Sequence, residues 1–314
     1  MTESKSKVGF IGLGLMGSSF AKNLQKAGHS LVVNDLRREA AADHLVAGAV
    51  WADTPKAVAE AADVVLVSLP GPPEVEAVAL NPTTGLITGL KPGSVVFDLS
   101  TNSPVSVRKV QAALAEAGVQ FLDAPVSGGP KGAVSGKLAI WVGGDETTFD
   151  AHRAVLDALG DQVRYIGPIG AGSVAKLVHN SVGYAVQMSL TEAFTAGVKA
   201  GVPPTALWQA IRQGTRGRQR TFDGLAEQFL VDSYDPPSFQ LRLAHKDVSL
   251  ACQLGRDVGV PMRMINLVQE EMTEARNRGW DALDSRVFLK LQAERAGVEI
   301  REDPAALKAI LDSE

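Results

Sequence analysis

The run VGFIGLGLMGSSFAKNL, near the start of the chain, constrains the fold more than any other feature. It puts Gly12, Gly14 and Gly17 in G-x-G-x-x-G spacing, between an apolar stretch, Val8–Ile11, and a helical one, Gly17–Ala27. Gly12 permits a tight turn, Gly14 lets the backbone approach a pyrophosphate, and Gly17 lets the helix sit close on the strand. The helix start offers unpaired N–H groups and a positive dipole end to phosphates. A second apolar stretch, Leu31–Asn34, ends at Asp35, about 20 residues on. Together these predict a dinucleotide-binding strand–turn–helix–strand unit, with Leu15 and Met16 on the turn beside the cofactor. A carboxylate at Asp35 accepts ribose hydroxyls and repels a 2′-phosphate, which favours NAD. Arg37 and Arg38 follow directly and could pair with such a phosphate, so NADP stays open.

Further strands are expected at Val64–Leu69, Val95–Leu99, Gln120–Leu122, Leu138–Val142 and Arg164–Ile166. Helical spacing lies between some of them, as in Pro104–Ala117 and Glu146–Leu159. Such alternation implies crossover connections and a mainly parallel sheet with helices on both faces. The pattern changes after Pro168. Ser173–Lys199 contains no proline and reads as one long helix, more apolar than a solvent-facing helix should be. Helices are expected beyond it at Pro204–Arg212, Thr221–Phe229, Phe239–Val258, Met262–Arg278 and Ser285–Glu294. The expected fold class is α/β: an N-terminal Rossmann-type doubly wound sheet, a long interdomain helix and a C-terminal all-helical domain. The expected division is 1–168 for dinucleotide binding and 169–314 for substrate and oligomer contacts.

At 314 residues the chain can bury a sizeable core. Its net charge of −4 argues against a nucleic-acid partner, which needs a basic face. Cys252 is the only cysteine, so no intrachain disulfide can form and a reducing compartment fits. The N-terminus is short and polar, and no apolar run approaches bilayer length, so neither a signal peptide nor a membrane partner is expected. These points lead to a cytoplasmic expectation. The apolar long helix predicts a homodimer or homotetramer.

Four segments, taken in order, resemble the 3-hydroxyisobutyrate dehydrogenase family, the β-hydroxyacid dehydrogenases. They are GFIGLGLMG (9–17), DAPVSGGPKGAVSGKL (123–138), GAGSVAKLVHN (170–180) and FQLRLAHKDVSLA (239–251). The resemblance implies an NAD(P)-dependent enzyme that moves a hydride between nicotinamide and a small hydroxy acid, or its aldehyde or keto acid. It implies that Ser127, Gly128 and Gly129 hold the substrate carboxylate, and a hydroxyl beside two open backbone N–H groups suits an anion. It implies that Lys176 is the acid/base, with Asn180 nearby. These two fall one helical turn apart on one face. A lysine desolvated in a cleft has its pKa lowered toward neutrality, which suits proton transfer in both directions.

The resemblance also places Lys246 and Asp247 against cofactor and substrate, and Phe239 against substrate, although core packing is the commoner fate of a phenylalanine. Ser100 and Thr101, at a strand's C-terminal end, match a pair near the nicotinamide. Leu69 and Pro70 end another strand and are expected on the adenosine side. The chain departs from the family at His179, where many members carry a second asparagine. Lys-x-x-His-Asn instead resembles 6-phosphogluconate dehydrogenase, whose large helical domain this chain is too short to contain. His179 reads equally as a ligand contact or as a hydrogen-bonded core histidine. The other histidines lack metal-ligand spacing, so no metal is expected. Arg216, Arg218 and Arg220 form either a solvated basic turn or a contact to a second anionic group, which would select diacids or sulfonates. Two other readings stand beside the dehydrogenase: an imine reductase, which generally lacks the lysine, and a catalytically silent nucleotide-binding module.

Overall fold

The computed structural model describes residues 7–214, 223–259 and 261–312. The chain divides into two compact units, Met1–Leu177 and Val178–Glu314.

In the first unit the strands are β1 (Lys7–Ile11), β2 (Ser30–Asn34), β3 (Val50–Trp51), β4 (Val64–Val67), β5 (Val95–Asp98), β6 (Gln120–Asp123), β7 (Val126–Ser127), β8 (Ala139–Gly143) and β9 (Gln162–Gly167). The helices are α1 (Leu15–Lys26), α2 (Ala42–Val46), α3 (Pro55–Ala61), α4 (Pro72–Leu80), α5 (Pro104–Glu116), α6 (Gly129–Ser135) and α7 (Glu146–Asp157). The strands form one sheet in the order β3-β2-β1-β4-β5-β6-β8-β7, with β9 pairing β8. From β3 to β6 every pairing is parallel. β8 runs antiparallel to β6 and β7: β7 continues the direction of β6, and the chain reverses through α6 before β8. This is the expected doubly wound sheet, with an antiparallel extension that short β7 hid from sequence reading.

The apolar runs follow from burial on both faces. Val8, Phe10, Val64, Leu66, Val95 and Phe97 pack on one side of the sheet. Ile11, Val65, Val67 and Val96 pack on the other. Fully burying each such side chain contributes about 1.5–3 kcal/mol. The order reverses on either side of β1, which places a crevice at the carboxyl ends of β1 and β4, where open α/β sheets bind ligands.

Helix α8 (Ala171–Lys199) runs through the boundary between the units. Beyond it come α9 (Pro204–Gln213), α10 (Leu241–Asp257), α11 (Arg263–Asn277), α12 (Lys290–Ala296) and α13 (Pro304–Asp312). Trp208, Phe194, Leu230, Val248 and Met272 are buried in this second unit. The expected helix Thr221–Phe229 is not formed in its described part. Asp223–Leu225 is a single 3₁₀ turn followed by further turns, in keeping with the helix cost of Gly224. Ser285–Leu289 is likewise 3₁₀ before α12 begins. No described helix is long and apolar enough to cross a membrane.

Candidate active site

The glycine turn sits between β1 and α1, and its three glycines do different jobs. Gly12 has φ +93, in the left-handed region, and a Cβ there would overlap the carbonyl oxygen of Ser68, just past the end of β4. A Cβ on Gly17 would overlap the Gly12 carbonyl oxygen. A Cβ on Gly14, in contrast, would meet nothing within 4 Å. Packing therefore demands glycine at 12 and 17 but not at 14. The open space at Gly14 is where a pyrophosphate needs to approach the backbone, so the residues present fit a dinucleotide. Leu15 is exposed beside it, and Met16 is half-buried.

Asp35 is tied into the glycine turn. Its Oδ2 accepts the Leu13 N–H at 2.7 Å, and its Oδ1 accepts the Arg37 N–H at 2.9 Å. The carboxylate thereby shapes the glycine turn, and each oxygen keeps a lone pair for a further donor. Arg38 lies 5.5 Å over the Trp51 ring and 4.0 Å from Asp53, while Arg37 is exposed.

The ends of β4 and β5 are tied together. Ser100 is buried, and its Oγ accepts the Leu69 N–H at 2.9 Å. Its own N–H donates to Asp98 Oδ1 at 2.9 Å, and Asn102 Nδ2 donates to Asp98 Oδ2 at 2.8 Å. Thr101 is half-buried and Pro70 is exposed. Asp98 and Asn102 have no exposed surface, and sequence reading assigned them no part. One signal was available: β5 and β6 each end in aspartate after apolar residues, VVFD and QFLD, and the two aspartates are register partners. Burial pushes the Asp98 carboxyl up to about 6, against the pull of Asn102 and Ser100, and Asp123 adds to the rise. Burial also raises Asp123, opposed by N–H groups from Gly170 and Ser173.

The expected carboxylate loop is partly regular structure. Ser127 ends β7, Gly128 (φ +134) precedes α6, and Gly129 (φ +58) opens it. Gly132 lies inside α6 and Gly136 caps it in the left-handed conformation. Gly128 and Gly129 are exposed, so their backbone is open to a ligand, and Ser127 is half-buried.

Lys176 and Asn180 lie one turn apart on α8, both half-buried. Asn180 Nδ2 donates to Asp247 Oδ2 at 2.8 Å, and Lys246 Nζ lies 2.9 Å from Asp247 Oδ1. Three of the expected residues thus meet in the second unit. His179 is exposed, with Nδ1 3.1 Å from Asn180 Oδ1, so it is no core histidine. Phe239 precedes α10 and is 38% exposed, which sets it apart from a core phenylalanine. Arg216, Arg218 and Arg220 lie outside the described residues.

Fold and glycine turn together define a Rossmann-type NAD(P)-binding oxidoreductase. The NAD binding domain of 6-phosphogluconate dehydrogenase, as a family model, matches residues 7–167. The model described as NAD-binding of NADP-dependent 3-hydroxyisobutyrate dehydrogenase matches residues 170–292. The chain is 34% identical to 2-(hydroxymethyl)glutarate dehydrogenase of Eubacterium barkeri, over 95% of this chain and 98% of that protein. It is 33% identical to 2-hydroxy-3-oxopropionate reductase of Escherichia coli, over 90% and 96%. The solved 3-hydroxyisobutyrate dehydrogenase of Mycobacterium tuberculosis with L-serine superposes with TM-score 0.79 at 28% identity, over 91% of this chain and 98% of that one. This chain belongs to the 3-hydroxyisobutyrate dehydrogenase family, the NAD(P)-dependent dehydrogenases and reductases acting on CH–OH groups. An imine reductase from Pseudomonas sp., at 18% identity and TM-score 0.59, shares the fold alone.

Proposed function

We propose that this chain oxidises a small β- or γ-hydroxy acid, or reduces the matching aldehyde or keto acid, with Lys176 as the acid/base. The observation that carries the reading is the place of Lys176: half-buried on α8, beside fully buried Leu177 and one turn before Asn180. Removing hydride from an alcohol carbon requires the hydroxyl proton to leave, and an amine nitrogen there takes it. In the reverse direction the ammonium returns it. Asn180, held by Asp247, orients the substrate oxygen or the lysine. Ser127, Gly128 and Gly129 bind the carboxylate, and Phe239 lines the substrate.

The nicotinamide, when bound, supplies the hydride acceptor or donor. Gly12, Gly14, Leu15, Met16 and Gly17 would hold its pyrophosphate, with Asp35 on the ribose and Leu69, Pro70, Ser100, Thr101, Lys246 and Asp247 along the rest. NAD is the preferred cofactor on the Asp35 carboxylate. Nucleotide binding is assigned to 1–168, and substrate and oligomer contacts to 169–314.

Relatives named for 2-(hydroxymethyl)glutarate, 2-hydroxy-3-oxopropionate and 3-hydroxyisobutyrate support the substrate class. Each of these compounds puts the reacting carbon β to a carboxylate. The first is a diacid, which gives the second-anion role of Arg216, Arg218 or Arg220 a concrete candidate. The test is NADH or NADPH absorbance with a panel of these acids and L-serine. A rate with at least one β-hydroxy acid is expected, and no rate with any of them removes the reading. Val178 and Val182, 53% and 57% exposed on α8, support a homodimer or homotetramer, which sedimentation decides. The lone cysteine supports a cytoplasmic location.

A further inference from the structure

The cap position of α8 offers no side chain. A helix start leaves its first N–H groups without intrahelical partners, and a Ser, Thr, Asp or Asn at the cap position usually accepts one. Here the residue before the helix is Gly170, which has no side chain and sits at φ +93. The acceptor comes instead from the sheet. Asp123, at the end of β6, takes the Gly170 N–H on Oδ1 at 2.7 Å and the Ser173 N–H on Oδ2 at 2.6 Å. Its side of the contact is 1% exposed, and Ser173 has no exposed surface.

Two more glycines clear the space for this contact. A Cβ on Gly143, in β8, would lie 2.6 Å from Asp123 Oδ1 and 2.9 Å from the N atoms of Ala171 and Gly172. A Cβ on Gly172 would overlap the Trp141 carbonyl oxygen. The helix start is therefore pressed against β6 and β8 on backbone alone, with one carboxylate between them. A capping side chain at position 170 is not accommodated, because φ +93 strains any L side chain and a Cβ there would press on the Arg108 guanidinium. The buried carboxylate does something a local cap does not: it fixes the helix to a strand. Lys176 follows Ser173 by three residues, about 4.5 Å along the axis.

We propose that Asp123 is a positioning residue for Lys176, seating the first turn of α8 on β6 so that the lysine is held where its nitrogen meets the substrate oxygen. This rests on the acid/base reading of Lys176. A misplacement of about 1 Å in a reacting group costs on the order of a hundredfold in rate.

The experiment compares full-length wild type, Asp123→Asn and Gly143→Ala, each alone and combined with Lys176→Ala. It measures single-turnover rate, KM for the hydroxy acid, Kd for NAD and Tm. Asp123→Asn turns one acceptor oxygen into a donor facing an N–H. Gly143→Ala keeps the charge and wedges the contact sterically, and it carries the test if Asp123→Asn does not fold. Each should lower the rate about ten- to a hundredfold, with Kd for NAD within about threefold of wild type. In the Lys176→Ala background each should lower the remaining rate less than about twofold, because the group being positioned is gone. A lower Tm with an unchanged rate makes Asp123 a cap only and overturns the proposal. Equal falls in both backgrounds show that Asp123 acts independently of Lys176 and also overturn it. Failure of the acid/base reading shows separately, as a Lys176→Ala enzyme that keeps its turnover.

Discussion

Asn180 on α8 and Asp247 on α10 are joined by a 2.8 Å hydrogen bond, amide Nδ2–H to carboxylate Oδ2, and Asp247 is 1% exposed. Only a donor can face that oxygen, so the bond fixes which end of the Asn180 amide points to Asp247 and which is left for other partners. Lys246 Nζ, 2.9 Å from the other carboxylate oxygen, balances the buried charge.

Asp247→Asn removes the charge that Lys246 balances and leaves one acceptor oxygen where there were two. It should lower kcat about tenfold to a hundredfold and destabilise the protein by about 1–3 kcal/mol, since the half-buried Asn180 amide loses its charged acceptor. Steady-state kinetics and thermal melts check this. Wild-type kcat in a folded Asp247→Asn enzyme would show that the orientation of Asn180 is irrelevant to turnover.

The glycine turn gives a paired prediction. Gly17→Ala forces a Cβ into the Gly12 carbonyl oxygen, whereas Gly14→Ala puts one into open space. Gly14→Ala should leave Tm within a few degrees while weakening NAD binding tenfold or more. Gly17→Ala should lower Tm as well. Calorimetric titration beside melting curves separates the two, and an unchanged NAD affinity in Gly14→Ala would mean that the pyrophosphate does not pass there.

Asp35 carries two loads, the Leu13 N–H of the turn and the predicted ribose contact. Asp35→Ser should shift preference toward NADP, with Arg37 left to meet the added phosphate, and should weaken both cofactors by loosening the turn. Ratios of kcat/KM for NAD and NADP measure it. A wild-type ratio favouring NADP would overturn the assignment of NAD.

Asp98 makes stability depend on pH in an unusual sense. Its carboxyl is pushed up to about 6 from 3.8 by burial, so the folded protein holds the proton more tightly than the unfolded chain. The linked stability is fully present below 3.8 and is lost as pH rises through about 6. A shift of this size corresponds to at most about 3 kcal/mol. Asp98→Asn lacks this titration, so the stability difference between wild type and variant should fall as pH rises from 4.5 to 7.5. Urea unfolding across that range tests it, and a difference that does not change with pH contradicts it.

The sheet was legible because β4 and β5 are apolar on both faces, VVLV and VVF, and the turn was legible because glycine at 12 and 17 is sterically required. β7 escaped because two residues carry no periodicity. The part played by Asp98, Asn102 and Asp123 escaped for another reason. Their roles come from partners distant in sequence, such as Gly170 for Asp123, and a polar residue ending an apolar strand looks like an ordinary loop entry. The same holds for Asp247, read as a cofactor contact but bonded to a side chain 67 positions earlier.

Proton transfer is the role proposed for Lys176. Lys176→Ala, assayed with the best hydroxy acid of the panel and saturating NAD, measures it most directly. General acid–base groups contribute about 10²–10⁴ in rate, so kcat should fall by at least a hundredfold while calorimetry shows NAD bound as in wild type. A folded Lys176→Ala enzyme that binds NAD and turns over within tenfold of wild type would contradict the account.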